Sequence, residues 1–469
     1  MKTECSRRTL KFHPLGKRDV VGRFDGGAIS SEAGGLLLRE VEKRAGVIEQ
    51  FAACFTDHRD AELIEHTVKA LVGQRVYGLC LGYEDLNDHD DLRRDPLLGL
   101  LVGKSDLEGQ GRLRKRDEGK ALAGKSTLNR LELTPPEAGP SARYKKIVVR
   151  PEAVADLLVD LFLQAHEEAP AGITLDLDAT DDPIHGNQEG RFFHGYYNEY
   201  CYLPLYVFCG EFLLCAKLRP SNMDASAGAL EEIERIVAQI RRHWPQVKIL
   251  LRGDSGFCRE PILAWCETHG VDYLFGLAKN ARLIERIAAP LAEAQSQYEQ
   301  SRKAARVFTD FAYQTRESWS RERRVIAKAE HLDKGTNPRF VVTTLQGDPK
   351  TVYEKVYCAR GEMENRIKEQ QLYLFADRTS AATIRANQIR LWFSSMAYVL
   401  MQALRRLALQ GTEMAQAQCQ TIRLKLLKIG AQVKITVRKV WISLAGGCPY
   451  QNVFIQAHEN LRRRIPLRC

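Results

Sequence analysis

Three acidic residues occupy positions from which they could act together on phosphodiester bonds. Asp178 and Asp254 each end an apolar segment, in LDLDAT and LLRGDSGF, and Glu364 lies in the helix-patterned segment YCARGEMENRIKEQ. Carboxylates are hard oxygen ligands, and three of them can hold two divalent cations about 3.5–4 Å apart. One cation would activate the attacking oxygen and the other would stabilise the leaving oxygen. These residue types therefore indicate metal-dependent hydrolysis or transfer of phosphodiesters.

Two predicted strands would position the first two acids. Residues 173–178 alternate apolar and polar side chains, which predicts a strand with Asp178 on its polar face. Residues 247–252 predict a second strand that ends just before Asp254. Because the carboxyl ends of strands in an α/β sheet open into the crevice where ligands bind, the two acids are expected to converge although 76 residues separate them.

Other polar residues near the first strand leave alternatives open. Asp176 shares a face with Asp178 and is the alternative first ligand. Asp181 and Asp182 are expected to be loop or substrate-side carboxylates. His185 and His194 flank a glycine-rich polar loop and are interpreted as ordinary loop histidines that could contact DNA.

A predicted helix would bring the third acid to the same place. At 100° per residue, five side chains project within about an 80° arc of this helix. A face that mixes a carboxylate, cations and an aromatic is too polar for a core, and its cations could hold phosphate. The five residues are Tyr357, Arg360, Glu364, Lys368 and Gln371.

The wider pattern predicts an α/β chain. Residues 1–33 resemble an irregular arm, and helical periodicity then dominates to about residue 162, including a short helix capped by Ser126. A β-β-β-α-β-α-β series follows over 172–278, with a hairpin at Gly210-Glu211. Residues 280–350 predict a strand-rich insertion. Helical segments cover 361–409, and 434–445 predicts one late strand.

The charge distribution and the cysteines indicate which class of protein this is. The chain has 469 residues and a net charge of +10, and residues 401–469 hold twelve Lys or Arg against two Glu. Such a basic block is typical of a polyanion partner, although a solvated tail has the same composition. Twelve cysteines without a CxxC pair suit reduced, buried thiols in a cytosol. Neither a membrane span nor a secretory leader is predicted.

Two local motifs offer competing chemistry. Residues 119–126 match the P-loop pattern, but the preceding segment is charged, whereas a P-loop follows a buried strand. The Gly-Asp-Ser-Gly turn at 253–256 could present Ser255 as a nucleophile, but no partner histidine motif accompanies it. Metal binding by Asp254 is the better interpretation of that turn.

Taken together, LDLDAT, the following DDPIHGNQEGRFFHGYYNEY, LLRGDSGF, YCARGEMENRIKEQ and LFADRTS resemble the DDE transposases of bacterial insertion sequences, within insertion-sequence family 1380. The resemblance covers most of the chain. It implies an RNase H-like catalytic core with a β-rich insertion, preceded by a mainly helical N-terminal DNA-binding region. It also implies Asp178, Asp254 and Glu364 as the catalytic, metal-binding triad for two Mg²⁺ ions, with Mn²⁺ as an alternative metal.

The resemblance also assigns DNA-contacting residues. Its Tyr-Arg-Glu-Lys signature is matched by Tyr357, Arg360 and Glu364, but Gln371 stands at the lysine position. Lys368, one turn closer, could supply that charge. Relatives that form hairpin DNA ends hold an unstacked base on an inserted aromatic, a role that would fall to Trp319, although packing within the insertion is the simpler interpretation. Arg438 and Lys439 are further candidate DNA contacts from the basic end.

The implied function is cut-and-paste transposition by a homodimer on double-stranded DNA, with element terminal inverted repeats and target DNA as partners. The protein would be cytoplasmic and associated with the bacterial nucleoid. Two alternatives remain, an RNase H-like nuclease without strand transfer and a non-catalytic DNA-binding descendant of a transposase. The expected domains are a helical DNA-binding region (1–140), two parts of the core (141–279 and 351–410), the insertion (280–350) and a basic C-terminal region (411–469).

Overall fold

The computed structural model describes residues 9–463 of the chain. They fall into two compact units, one formed by residues 9–149 with 400–463 and the other by Arg150–Val399. The five-part division expected from the sequence stays a prediction. No helix within the described range combines the length and apolar character that crossing a bilayer requires.

The N-terminal arm contains strands, so its prediction as irregular is wrong. Strands β1 (Leu10–Leu15) and β2 (Arg18–Gly22) form an antiparallel hairpin, and β3 (Ile29–Ser30) follows. Gly16 makes the turn possible, because it adopts a φ of +63° that other residues rarely take. Phe12 and Val21 are exposed, so the hairpin lacks the buried face from which alternation is normally recognised.

Helices make up most of the remaining N-terminal part of the first unit. The most buried is α3 (Val68–Leu81). Its N-cap is Thr67, whose Oγ1 accepts the Ala70 N–H, and its C-cap is Gly82, which has a φ of +95°. The expected cap of α6 is corrected: Gly124 is the N-cap, and Ser126 lies inside the first turn. The elements are α1 (Gly35–Ala45), α2 (Val47–Ala53), β4 (Phe55–Asp57), α3 (Val68–Leu81), α4 (His89–Leu92), α5 (Pro96–Val102), α6 (Lys125–Leu133) and β5 (Ile147–Val149).

The second unit is built on one mixed sheet of nine strands, which confirms a mixed α/β fold. Its order is β11-β10-β6-β12-β13-β17-β15-β14, with β16 paired to β15. Strands β6, β12 and β13 are parallel neighbours, and β10 is antiparallel to β6 and β11. The first elements are α7 (Pro151–Gln164), β6 (Gly172–Ala179), β7 (Asp182–Pro183), β8 (Phe192–His194), β9 (Glu199–Tyr202), β10 (Leu205–Cys209), β11 (Phe212–Lys217), α8 (Ala229–His243), β12 (Lys248–Gly253), α9 (Glu260–Thr268) and β13 (Asp272–Leu277).

The hairpin at Gly210-Glu211 is present, and its first arm is the five-residue strand β10 (Leu205–Cys209). The apolar residues Cys201 and Tyr202 belong to a different strand. Residues Glu199–Tyr202 form β9 of a separate three-stranded sheet with β7 and β8. Pro204 stands between β9 and β10, where the lack of an N–H interrupts a continuous ladder.

The strand-rich character of residues 280–350 is observed, and its strands extend the central sheet. Strand β17 pairs antiparallel with β13, and β15 pairs with both β14 and β17. Two helices precede these strands. The elements are α10 (Ala281–Arg286), α11 (Ala288–Ser301), β14 (Ala305–Tyr313), β15 (Arg323–Leu332), β16 (Gly335–Thr336) and β17 (Arg339–Thr343).

The segment that carries the third acid is less regular than predicted. After α12 (Pro349–Thr351), residues Val352–Tyr357 form a π turn and Cys358–Arg360 a 3₁₀ turn, and only then does α13 (Gly361–Leu374) begin. The uniform 100° spacing from Tyr357 to Gln371 therefore does not hold before Gly361. The next helix, α14 (Ile384–Leu407), packs against the sheet through the edge-to-face contact of Tyr398 and Phe208.

The late strand predicted at 434–445 is an antiparallel hairpin. Strands β18 (Ala431–Ile435) and β19 (Val440–Leu444) flank a turn in which the Thr436 N–H donates to the Lys439 carbonyl. The turn contains no Gly, Pro or Asn, so the usual signal is missing. The neighbouring elements are α15 (Cys419–Ile422), a π turn (Arg423–Leu427) and α16 (Gln451–Arg462).

Some arginines of the basic C-terminal block are buried in the protein interior. Arg405 and Arg423 are buried, and Arg423 donates to the carbonyls of Leu79 and Cys80. Arg464 and Arg468 lie outside the described residues. The block therefore offers fewer free cations to a partner than its composition indicates.

A buried ion pair joins the central strands to the segment of the third acid. Asp176 and Arg252 are direct neighbours on β6 and β12, and both side chains are buried. The Arg252 Nε and Nη2 donate to the two Asp176 carboxylate oxygens at 2.5 and 2.7 Å, and Nη1 donates to the Val356 carbonyl. This arginine thus connects both strands to the residue before Tyr357.

We expect Arg252→Leu to lower the free energy of unfolding by about 3–5 kcal/mol, because it leaves Asp176 buried without its cation. Urea unfolding of the full chain measures this. The matched control is Arg235→Leu, which breaks more exposed pairs with Asp156 and Glu232 and should cost about 1 kcal/mol or less. Equal losses in the two variants would contradict the structural role of the buried pair.

Candidate active site

The strand register brings Asp178 and Asp254 side by side. Gly253 on β12 aligns with Leu177 on the parallel strand β6, so the next residue of each strand is an acid. On its other side, Asp178 aligns with Tyr206 of β10. The two carboxylates therefore share the carboxyl edge of the sheet, where ligands of α/β proteins bind.

Arg360 supplies a positive charge next to the two carboxylates at this sheet edge. Its Nη2 donates to Asp178 Oδ1 at 2.8 Å, and both side chains are mostly buried. Burial lowers the pKa of Arg360, but the negative charges of Asp178 and Asp254 outweigh this and raise it overall. Its Nε is buried without a hydrogen-bond partner among the residues described, which leaves a donor free for an incoming oxygen.

Glu364 belongs to the same electrostatic environment. It lies in the first turn of α13 and is exposed. Burial raises the pKa of Asp178 to about 6; Arg360 opposes this rise, and the negative charges of Asp254 and Glu364 add to it. A buried carboxylate whose pKa is raised by two neighbouring negative charges belongs to a site suited to a multivalent cation.

The three carboxylates are suitable ligands for magnesium, but they do not lie close enough together to coordinate one ion. Carboxylate oxygens are the hard ligands that Mg²⁺ prefers. Within residues 9–463, however, no three His, Cys, Asp or Glu side chains are grouped closely enough to hold a metal ion. In this arrangement the Arg360 guanidinium is the positive charge bonded to Asp178.

Tyr357 packs directly over the sheet edge. A Cβ atom on Gly276 would lie 2.7 Å from the Tyr357 hydroxyl oxygen and 2.9 Å from the Ser255 nitrogen, so only glycine leaves room there. Burial raises the pKa of Tyr357, Arg360 lowers it and the negative charge of Asp254 adds to the rise. The ring is therefore held beside the Asp254 turn, in which the Gly256 N–H donates to Asp254 Oδ1.

The neighbouring acids have other roles in the structure. Asp176, the alternative first ligand, has both oxygens occupied by Arg252. Asp182 is buried, and its pKa is raised well above the usual range by burial and by the charge of Asp377. Neither residue is placed as a partner of Asp254.

Lys368 and Gln371 differ in their contacts. Lys368 is exposed on α13, one turn beyond Glu364. The Gln371 side-chain amide donates to the Asp181 carbonyl at 3.0 Å, so it fixes the loop that follows Asp178. A glutamine at the signature's lysine position thus has a structural partner here, and Lys368 has an exposed charge.

The structure places Trp319 in the core rather than at a DNA surface. Its side chain is buried, its ring meets Tyr313 edge to face at 5.9 Å, and the Arg323 guanidinium lies 5.3 Å from the ring centre. A base could not reach a ring face that the protein already covers. The packing interpretation of Trp319 therefore describes its position, and its assignment as a base-stacking residue is corrected.

Arg438 and Lys439 lie in the exposed turn of the β18–β19 hairpin, in the other unit of the chain. The Lys439 ammonium stands 5.1 Å from the centre of the Trp441 ring, which is itself exposed. Their position suits contact with a polyanion.

Sequence reasoning did not identify an exposed aromatic cluster beside the acids. Phe192, Phe193, Tyr196 and Tyr200 are exposed on or between β8 and β9, and the Arg191 guanidinium lies 3.6 Å from the centre of the Tyr200 ring. The Tyr197 hydroxyl donates to the carbonyl of Ala179, next to Asp178. The signal was present as five aromatic residues in FFHGYYNEY, far more than a solvated loop needs.

The P-loop interpretation is not supported by the structure. Residues Ala121, Leu122 and Ala123 are buried, so their backbone cannot cradle a phosphate. Lys125 Nζ donates to Asn87 Oδ1 at 2.9 Å and pairs with Asp90. A 3₁₀ turn, not a strand, precedes the motif.

Two comparisons with known proteins found similarities, and a third found none. The structure resembles a piggyBac transposase synaptic complex with hairpin DNA, with 10% sequence identity, a TM-score of 0.41, and coverage of 84% of this chain and 80% of the other. No curated protein sequence matches the chain. The family profile described as Transposase DDE domain group 1 matches residues 12–466, nearly the entire sequence. The chain therefore belongs to the DDE transposase family, in domain group 1.

Proposed function

We propose that this protein is a cut-and-paste DNA transposase of insertion-sequence family 1380, with Asp178, Asp254 and Glu364 as its catalytic triad. The observation that carries the proposal is the pairing of Asp178 and Asp254 at adjacent strand ends with Arg360 bonded between the sheet and α13. Nuclease and transposition activity is what membership of the family implies. The central-sheet strands β6, β10 and β11, followed by α8, β12, α9 and β13, form a β-β-β-α-β-α-β series that supports an RNase H-like core.

The three carboxylates would hold two magnesium ions, with manganese as an alternative. When bound, these ions would supply the activation of the attacking oxygen and the stabilisation of the leaving oxygen. Asp178, Asp254 and Glu364 would together form the ligand set. For this to happen Arg360 must release Asp178, which a single hydrogen bond permits.

The chain's own residues would then orient the DNA. Arg360, freed from Asp178, would direct its buried Nε and its Nη atoms at the phosphate. Lys368 would contact the same strand from α13, and Tyr357 would wall the site beside Asp254. Water adds to phosphorus as the P–O3′ bond breaks, which yields a 3′-hydroxyl and a 5′-phosphate. That hydroxyl then attacks a target phosphodiester and displaces a new 3′-hydroxyl.

The exposed aromatic cluster at 192–200 would contact bases near the cut. It is anchored to the end of β6 through Tyr197, so an unstacked base beside the scissile phosphate would meet Phe193 or Tyr196. Arg438 and Lys439 would contact backbone phosphates elsewhere on the DNA. The N-terminal helices would recognise element ends, and a homodimer would hold two ends together. The site of action would be the cytoplasm, at the nucleoid.

We expect Asp254→Asn to reduce DNA cleavage more than about 100-fold, the scale of losing one electrostatic group from a catalytic centre. Binding of a duplex that carries the element end should change little, because phosphate contacts by Lys and Arg supply most of that affinity. Gel assays of cleavage and binding, with DNA flanking the gene as substrate, measure both. Asp310→Asn, which breaks a more exposed pair with Arg324, is the matched control. Retained cleavage in Asp254→Asn would remove the triad assignment.

Strand transfer separates this proposal from a simple nuclease. We expect the wild-type protein, given end DNA, a target plasmid and Mg²⁺, to produce molecules in which the 3′ end is joined to the target. Chelation of the metal should abolish both cut and joined products, because the three acids are the proposed ligands. Sequencing across the junctions detects joining. Cut ends without any joined product would favour the RNase H-like nuclease.

We expect Lys368→Ala to lower the salt dependence of DNA binding by about one unit of the log–log slope, because one phosphate contact is lost. Fluorescence anisotropy over a range of salt concentrations measures the slope. Lys303→Ala, another exposed lysine in the same unit, is the control and should leave the slope unchanged. A wild-type slope in Lys368→Ala would mean that Lys368 does not replace the lysine absent at Gln371.

A further inference from the structure

A second basic site lies in the first unit, among residues 59–130. It is a cavity of about 830 Å³ between the first turn of α6 and the segment 112–120. Seven Arg or Lys side chains line it, against two carboxylates. This volume is typical of cavities that hold small ligands, and the excess of positive charge indicates an anion.

The two carboxylates do not neutralise the cavity, because each already has its own arginine. Glu65 Oε2 accepts from Arg112 Nη2 at 3.3 Å, and Asp117 Oδ1 accepts from Arg93 Nη2 at 2.6 Å. Arg130, by contrast, is partly buried and its guanidinium has no hydrogen-bond or ion-pair partner in the described part of the chain. Burial lowers its pKa, and the charges of neighbouring arginines lower it further. A desolvated cation without a counter-charge is costly unless a ligand supplies one.

A buried histidine provides an independent sign of a missing ligand. His66 lines the cavity with only 5% of its surface exposed, and its Nε2 is buried with no hydrogen-bond partner among residues 9–463. Burial and the surrounding cations lower its pKa to about 3, so the ring is neutral. A neutral imidazole can donate Nε2–H to an oxygen acceptor.

The N-terminus of α6 adds one backbone donor to this cavity. Ser126 and Thr127, in the first turn of this nine-residue helix, are lining residues. The Lys125 N–H donates to Asp90 Oδ1 at 3.0 Å, and the Thr127 and Leu128 N–H groups donate to the Gly124 carbonyl. The Ser126 N–H is therefore the first-turn donor that has no partner among the described residues. The helix dipole also favours negative charge at this end.

We propose that this cavity is a phosphate-binding site, which takes phosphate groups either from a DNA strand or from a free polyphosphate. Arg130 and Arg114 supply uncompensated charge, His66 supplies a buried neutral donor, and the first turn of α6 supplies the Ser126 N–H. The site differs from a P-loop because Lys125 is paired with Asp90 and is not among the lining residues. None of the acidic residues of the candidate active site takes part, so the inference does not depend on catalysis.

The test compares two substitutions on the same helix in the full-length protein. We expect Arg130→Gln to weaken phosphate binding about tenfold, since a charge-assisted contact in a partly buried site is lost. Lys125→Gln removes an equal charge from the same helix and should change binding less than twofold, because Lys125 is paired with Asp90 outside the cavity lining. Inorganic pyrophosphate, measured by calorimetry, probes the free source, and a short duplex, measured by anisotropy, probes the DNA source.

The outcomes separate the two sources and the null result. Weaker binding of both probes by Arg130→Gln supports the site for either source, and weakening of one probe alone assigns that source. No change for either probe, or an equal change in Lys125→Gln, overturns the proposal. If Arg130→Gln melts at a lower temperature, Arg114→Gln, on the exposed segment, serves as the second variant. Because Asp254→Asn should bind both probes normally, loss of phosphate binding and loss of catalysis remain distinguishable.

Discussion

The accumulation of negative charge at one partly buried sheet edge is the constraint on which the candidate site depends. Burial makes the Asp178 carboxylate costly, and the neighbouring carboxylates of Asp254 and Glu364 increase that cost. Two acids of strand β6, Asp176 and Asp178, are each compensated by an arginine. Asp176 receives two hydrogen bonds from a buried Arg252, whereas Asp178 receives one from Arg360. The first pair is a structural connection between two strands, whereas Asp178, the proposed metal ligand, is held by fewer hydrogen bonds.

The sequence predicts the acidic edge well because two short-range rules suffice. Alternation identifies β6, and the position of Asp254 directly after an apolar segment identifies the end of β12. Arg252 could not be recognised in the same way. The position of Arg252 in its strand does not reveal its partners. They are Asp176 on β6 and the Val356 carbonyl, which lie 76 and 104 residues away in the sequence. Tertiary partners at such separation leave no local pattern.

The errors of local prediction share one cause, which is that tertiary contacts override local signals. The π and 3₁₀ turns before α13 interrupt a segment that looks uniformly helical, yet they leave Arg360 in reach of Asp178. The turn at 436–439 forms without Gly or Pro because Thr436 and Lys439 hydrogen-bond across it. Neither irregularity changes the order of elements, so the predicted α/β organisation survives them.

Formal charge is a poor guide to where an anion would bind, and the distribution of partners is a better one. Residues 401–469 carry the whole net charge of +10, yet one of their cations, Arg423, donates its hydrogen bonds to backbone carbonyls of α3. Residues 59–130 belong to the part of the chain that is neutral overall, yet their cavity holds Arg130 without a counter-charge. A cation already paired gains little from a phosphate, while a desolvated, unpaired one gains most. Binding charge is therefore located by pairing and burial, which only the folded chain reveals.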